Sequence, residues 1–213
     1  MERIWYCRVM ASRNALKVDV AEQHYHVYNR GVEKRTIFHD DIDYKVFLNL
    51  LKRHLDSAPH SSPLGKPYIW LHKKVELNAY CLMPNHFHLL LFQTEEGAMK
   101  QLLQNVCSAY TAYFNKKYKR VGHLFQGVYK ASLISTDSYV QHISRYIHLN
   151  PKDYLKWDYS SLPFYLGIKH ASWVAPARIL EMFESREEYM SFLKDYESQK
   201  EIMDELKHEL ANL

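Results

Sequence analysis

No stretch of this 213-residue sequence approaches the ~18 consecutive apolar residues that a membrane helix needs, so a helical membrane-spanning protein is excluded. Cysteine is scarce. Cys7, Cys81 and Cys107 are odd in number and widely spaced, so neither a disulfide framework nor a cysteine zinc site is expected, and a reducing, cytoplasmic setting fits. Residues 1–10 carry no long apolar stretch behind their charges, so no secretory signal is read. No internal repeat of ~20 to 50 residues is visible. Extremes of composition are also missing: 47% apolar and 24% charged residues lie close to globular averages and exclude a disordered or fibrous chain.

What is abundant is tyrosine, at 17 residues, and histidine, at 13. The formal charge of +4 hides a polarity along the chain. Residues 181–213 hold ten acids and four bases, a local −6, which leaves +10 on residues 1–180. A tyrosine-rich body of that charge points to a polyanion partner, and nucleic acid is the usual one. The acidic end has two readings: a segment that folds over the basic body and competes with DNA, or an amphipathic helix packing Phe183, Tyr189, Phe192, Leu193 and Tyr196.

Residues 24–29 alternate in the β-prone manner and Gly31 closes them, which predicts a first strand. Asp40 or Asp41 can cap a helix running to about residue 57, with Tyr44, Phe47, Leu48, Leu51 and Leu55 at helical spacing. Residues 57–67 carry three prolines and a glycine and read as an exposed loop. Residues 75–82 and 86–92 read as two strands joined by Met83-Pro84-Asn85, a hairpin turn. A second helix is predicted over 99–118, a fourth strand with a kink near Gly127 over 122–133, and a third helix from about 139 to 150, stopped by Pro151. Helical segments follow at 176–183 and from 186 to about 211. The pattern is α+β: a ferredoxin-like βαββαβ antiparallel sheet with helices on one face and a C-terminal helical extension. The corresponding division is an N-terminal segment (1–20), a main domain (21–168) and an acidic helical extension (169–213).

Two features carry chemistry. His86-Phe87-His88 sits in a predicted strand, where residues two apart share a face, so both imidazoles can converge on one ion while Phe87 faces the core. In the third helix, Tyr146 and Asn150 are spaced i, i+4 and share a face with Tyr139, His142 and Ile143. A phenol, with a pKa of ~10, becomes a useful nucleophile when a cation polarises its electrophile, and a ligand one turn away would tie Tyr146 to that cation. The plainer alternative is an amphipathic helix whose tyrosine packs on the sheet and whose asparagine caps its end. His24 and His26 alternate on the first strand and can reach the same face, or simply pack there.

Together these motifs resemble the single-tyrosine HUH transposases, most closely the REP-associated tyrosine transposases. The resemblance extends to His24, Val27, Asn29, Arg30 and Gly31 with Ile37 and Phe38, and to the run from Tyr80 through Met83-Pro84-Asn85-His86-Phe87-His88 to Leu90. It continues in Gly122-His123-Leu124-Phe125-Gln126 with Tyr129 and Lys130, and in Arg145-Tyr146-Ile147-His148-Leu149-Asn150-Pro151. In all it covers roughly residues 22–168. One departure stands out: after Pro151 many members continue Val-Arg-Ala, where this chain has Lys152-Asp153-Tyr154-Leu155.

The resemblance implies that His86, His88 and Asn150 bind Mg²⁺ or Mn²⁺ and that Tyr146, rather than Tyr139, is the nucleophile. The activity it implies is cleavage and rejoining of single-stranded DNA beside a hairpin, through a 5′-phosphotyrosine link, as in a mobile element. No small-molecule cofactor or membrane is implied, and the chain would act as a monomer or homodimer. Arg30, Lys116, Lys117, Lys119, Arg120, Lys130 and Arg145 are the expected DNA contacts, with nearby aromatics suited to unstacked bases. Two other readings are a hairpin-binding module that does not cut, and a metal phosphodiesterase that uses water.

Overall fold

The computed structural model describes residues 19–195. Strands β1 (Gln23–Arg30), β2 (Val75–Met83), β3 (His86–Gln93) and β4 (Lys130–Ile134) form one sheet in the order β2-β3-β1-β4, with every neighbouring pair antiparallel. Helix α1 (Asp41–Leu55) links β1 to β2, and α2 (Ala98–Lys117) links β3 to β4. This is the split βαβ, ferredoxin-like order. The expectation of helices on one face holds for these two crossover helices. A third helix, α3 (Asp137–His148), lies beyond the βαββαβ unit and covers the other face, packing on β2 and β3. Short helices α4 (Leu162–Tyr165) and α5 (Ala177–Leu180) and a longer α6 (Arg186–Lys194) follow.

Strand alternation divides the apolar residues into two cores. Tyr25, Val27, Phe87, Leu89 and Leu91 point one way, to Phe47 and Leu51 of α1 and Leu103 and Tyr110 of α2. Each such side chain, fully buried, stabilises the fold by ~1.5–3 kcal/mol. Leu90 and Ile134 point the other way, to Val140, Ile143 and Ile147 of α3 and to Tyr165, Ile179, Tyr189 and Leu193. On β2 the alternation changes phase where its register shifts between Leu77 and Ala79. The extra residue, Asn78, is held by its amide donating to Ala175 O (3.0 Å) and by Tyr165 Oη donating to its carbonyl (3.0 Å). This bulge moves Ala79 and Cys81 onto the α3 face.

The hairpin turn between β2 and β3 is pinned from outside. Gly31 N–H donates to Asn85 O (2.9 Å), and the amides of Ile37 and Phe38 both donate to Pro84 O (2.8 and 3.0 Å). A side chain at Gly31 would put its Cβ 2.3 Å from Arg35 O, so the close approach itself requires glycine. α1 then starts at once, with the Asp40 carboxylate accepting from Asp43 N–H (3.1 Å).

The predicted strand over 122–133 is shorter: only Lys130–Ile134 pairs, and Gly122 and Gly127 take positive φ (85° and 72°), which a continuous strand cannot accommodate. α3 ends at His148 with Leu149 as its cap, two residues before the expected stop. The helix expected at 176–183 shrinks to Ala177–Leu180. The continuation of the last helix to residue 211, Tyr196, Cys7 and the segment 1–18 lie outside the described residues. α6 itself takes the packing reading of the acidic end, with Tyr189 and Leu193 buried and Phe183 and Phe192 against them.

α3 is tied to its surroundings by buried polar groups. His148 Nδ1 pairs with Tyr189 Oη and Nε2 with Ser161 Oγ, both at 2.7 Å, and burial holds its pKa down to about 3. The unfolded chain takes up a proton below pH ~6.5 that folded His148 refuses, so this stabilisation is complete above that pH and is lost as pH falls toward about 3. Urea unfolding at pH 7 and pH 5 should show His148 alone contributing about 2 kcal/mol to the acid loss of stability. His148→Asn should be less stable at pH 7, with a pH dependence smaller by that amount.

Candidate active site

The α3 face of the sheet carries a cross-strand lattice of polar side chains. On β1 the residues facing this way are His24, His26, Tyr28 and Arg30, and on β3 they are His86, His88, Leu90 and Phe92. Pairing aligns Cys81, His88, Tyr28 and Lys130 in one row across all four strands, and Met83, His86 and Arg30 in the next. Tyr146 descends on this lattice from α3. Its ring packs edge-on against His88 (centroids 5.2 Å apart) and His26 (6.0 Å).

His86 and His88 share the face expected of them. His86 Nδ1 lies 2.7 Å from Asn85 Oδ1, whose amide is oriented by Nδ2 donating to Lys34 O (3.2 Å). The shorter contact places the proton of neutral His86 on Nδ1, and in that tautomer the Nε2 lone pair, 3.2 Å from Asn150 Oδ1, is free for a cation. Two lone pairs at this separation match adjacent ligands of an octahedral divalent ion, which stand ~3 Å apart when each is ~2.1 Å from the metal. His88 Nδ1 is 3.0 Å from His26 Nε2. With that Nδ1 protonated, His88 keeps its own Nε2 lone pair, and His26 fixes the tautomer and the ring plane. Burial pushes the pKa of both His86 and His88 down, so each is the neutral base that a ligand must be. The donor set thus fits a hard divalent cation. Among the described residues no three His, Cys, Asp or Glu side chains gather around a metal position, and the oxygen donor next to His86 is the Asn150 amide.

Tyr146 is buried, and burial raises its phenol to about 12, an effect that the Asn150 side-chain hydrogen bond opposes. Tyr139 is only partly buried, at the margin of the second core. His142 is half-buried beside Arg145, and His148 is the structural tie described above.

The expected DNA contacts separate. Arg30 and Lys130 stand on the site's own face, beside Tyr28, and neither has a carboxylate partner among the described residues. Lys116, Lys119 and Arg120 lie at the C-terminal end of α2, in the other helical layer, with Arg120 bonded to Asn115 Oδ1 (3.2 Å). Lys117 is committed to Asp40 and Asp43 (2.8 and 2.7 Å). Arg145 departs from the expected DNA contact: it is fully buried, donates to Phe192 O (3.1 Å) and lies 4.2 Å over the Phe192 ring, so it anchors α6.

Sequence reasoning missed Tyr28 and the supporting role of Asn85, and left His26 open. Tyr28 Oη is shielded from solvent and has no hydrogen-bond partner among the described residues. Alternation on β1 placed Tyr28 on the right face, but only the β1–β3 register shows that it is paired with His88.

Residues 67–150, which hold both strand histidines and the tyrosine helix, match the family described as "Transposase IS200 like". That match bears out the resemblance to the single-tyrosine transposases at the level of the IS200-like family, and a solved structure shares the fold. A solved REP-associated tyrosine transposase, bound to a REP hairpin, aligns with a TM-score of 0.50 and 14% identity over 76% of this chain and 92% of its own. A protein from Deinococcus radiodurans R1 described as a transposase candidate aligns with a TM-score of 0.38 and 15% identity over 63% and 93%. No curated protein matches the chain.

Proposed function

We propose that the chain is a divalent-metal-dependent DNA strand transferase that cuts and rejoins single-stranded DNA beside a hairpin, with Tyr146 as nucleophile. The observation that carries this reading is the convergence on one sheet face of His86 Nε2, Asn150 Oδ1 and the Tyr146 ring packed on His88. The hairpin-bound neighbour supports a hairpin partner. His86, His88 and Asn150 would hold Mg²⁺ or Mn²⁺, which supplies charge stabilisation at the phosphoryl oxygens when bound. Arg30 and Lys130 would neutralise the remaining phosphate charge from the β1–β4 side. Tyr146 Oη attacks phosphorus, the P–O3′ bond breaks, and the phenolic proton is balanced by the departing 3′ hydroxyl. One phosphodiester replaces another, so the reverse step rejoins strands without an external energy source. Tyr146 is protonated at neutral pH, as any phenol is, and burial raises its pKa further, so the reaction must take up its proton.

The test is a denaturing gel of the full chain with labelled single strands from the DNA flanking its own gene, with Mn²⁺ or EDTA. A metal-dependent covalent adduct is expected that disappears in Tyr146→Phe; retarded DNA with no adduct would favour the non-cutting hairpin-binding module. His26→Ala should leave the fold intact and weaken Mn²⁺ binding by about 10- to 100-fold, read by calorimetry on the DNA-free protein. Unchanged Mn²⁺ affinity would remove His26 from its orienting role.

A further inference from the structure

The far end of the sheet carries a basic, aromatic surface that the site does not use. Residues 52–74 hold Lys52, Arg53, Lys66, Lys73 and Lys74 against the single acid Asp56, a formal +4. Lys74 pairs with Glu95, and Lys52 reaches Asp56 at 3.9 Å; Lys66 and Lys73 are exposed and have no carboxylate partner among the described residues. Arg53 lies 4.3 Å over the Tyr68 ring. Within this charge, Trp70 is 44% and Ile69 45% exposed, and Leu64 is almost wholly so.

The surface is built, although the sequence reads as loop. Residues 60–68 fold back on themselves, with Tyr68 N–H donating to His60 O (3.0 Å) and Ser62 N–H to Lys66 O (2.8 Å). The segment then caps the end of α1. Trp70 Nε1 donates to Asp56 O (2.9 Å), His72 Nδ1 pairs with Leu55 O (3.1 Å) and Leu71 N–H donates to His54 O (2.8 Å). The Trp70 and His72 rings stack, 5.7 Å apart at 16°. Capping accounts for the indole N–H. It does not account for leaving the indole 44% exposed, beyond the part that His72 covers, in a segment with a formal +4, since an aromatic ring of this size contributes most when buried.

We infer that this end of the molecule is a second contact for single-stranded DNA, in which an unpaired base stacks on Trp70 while Lys66, Lys73 and Arg53 meet the flanking phosphates. Exposed rings within a basic groove are the recurrent means of holding single strands without sequence preference. The inference rests on the reading of the chain as a single-strand DNA enzyme and adds the path of the strand. α1 runs from the turn that carries His86 to this surface, so the two are separated by its 15 residues, about 22 Å. About seven nucleotides at the ~3.4 Å spacing of a stacked strand cover that distance.

The experiment is fluorescence anisotropy of labelled dT20 with full-length Tyr146→Phe protein in EDTA, where neither metal nor covalent chemistry contributes. Trp70→Ala should weaken binding by about 10-fold, and Trp70→Phe, which keeps a ring but loses the N–H bond, should stay within about 2-fold of the parent. Lys66→Ala/Lys73→Ala should reduce the slope of log affinity against log salt by about 1.4. Ultraviolet cross-linking of bound dT20 should map to residues 52–74. Equal affinity for Trp70→Ala, equal losses for the Ala and Phe variants, or cross-links confined to the His86 end would overturn the inference. Adduct formation on the native strand, measured separately with Trp70→Ala on an active background, distinguishes this failure from failure of the enzymatic reading. An adduct with no Trp70 effect on dT20 sinks only the second contact, and a Trp70 effect with no adduct sinks only the chemistry.

Discussion

The parity of β3 governs the site. Phe87, Leu89 and Leu91 go into the α1–α2 core, and this commits His86 and His88 to the opposite face. A one-residue slip would bury both histidines among leucines and turn Phe87 toward α3. That slip is blocked at the turn, where Pro84 and Asn85 carbonyls take three backbone N–H groups from the segment after β1. Gly31, Ile37 and Phe38 are therefore part of the apparatus that aims the histidines, although none of them touches the site. The register of β1 against β3 then places His26 diagonal to His88 and Tyr28 directly beside it.

α3 must hold a tyrosine against this lattice without being a crossover element of the sheet. Its apolar stripe is only 12 residues long, and it is supplemented by groups that are costly to bury. His148 is fully buried and satisfied at both ring nitrogens, and Arg145 is fully buried under Phe192. Removing either partner of such a contact leaves a desolvated polar group, a loss of ~1–3 kcal/mol, so these residues define where the helix sits more sharply than additional leucines would. α6 thereby becomes a buttress of the site at one remove: Tyr189 positions His148, and His148 sits two residues after Tyr146.

The parts of this arrangement legible in the sequence are those set by local period. A His-x-His pair in a strand and a Tyr-x-x-x-Asn pair across a helix end each announce a shared face, and the alternation and capping signals gave five of the main elements nearly to the residue. What was not legible depends on register or on three-dimensional pairing. The bulge at Asn78 has no local signature, yet it moves Ala79 and Cys81 onto the α3 face. His26 becomes a partner of His88 only through β1–β3 pairing. The cations mislead for the same reason. Lys116, Lys117, Lys119 and Arg120 cluster in sequence, but Lys117 is spent on two aspartates at the start of α1, its cap Asp40 and Asp43, and Arg145, next to the tyrosine in sequence, bonds to α6 instead. Conversely, the segment 57–67, read as a plain loop, forms part of an ordered basic surface.

Two pairs of cations that make no ion pair among the described residues lie at opposite ends of the molecule, Arg30 and Lys130 at the histidines and Lys66 and Lys73 beyond the end of α1. With ~22 Å between them and a screening length of ~8 Å at physiological salt, the two groups do not reinforce each other's field. Their contributions combine only through a ligand that physically spans both. A strand long enough to do so converts the second contact into an intramolecular one, at an effective concentration set by the intervening nucleotides. A shorter strand gains from one end alone. Geometry of this kind selects for extended single strands over short fragments without any base-specific contact, and it leaves sequence choice to whatever surrounds Tyr146.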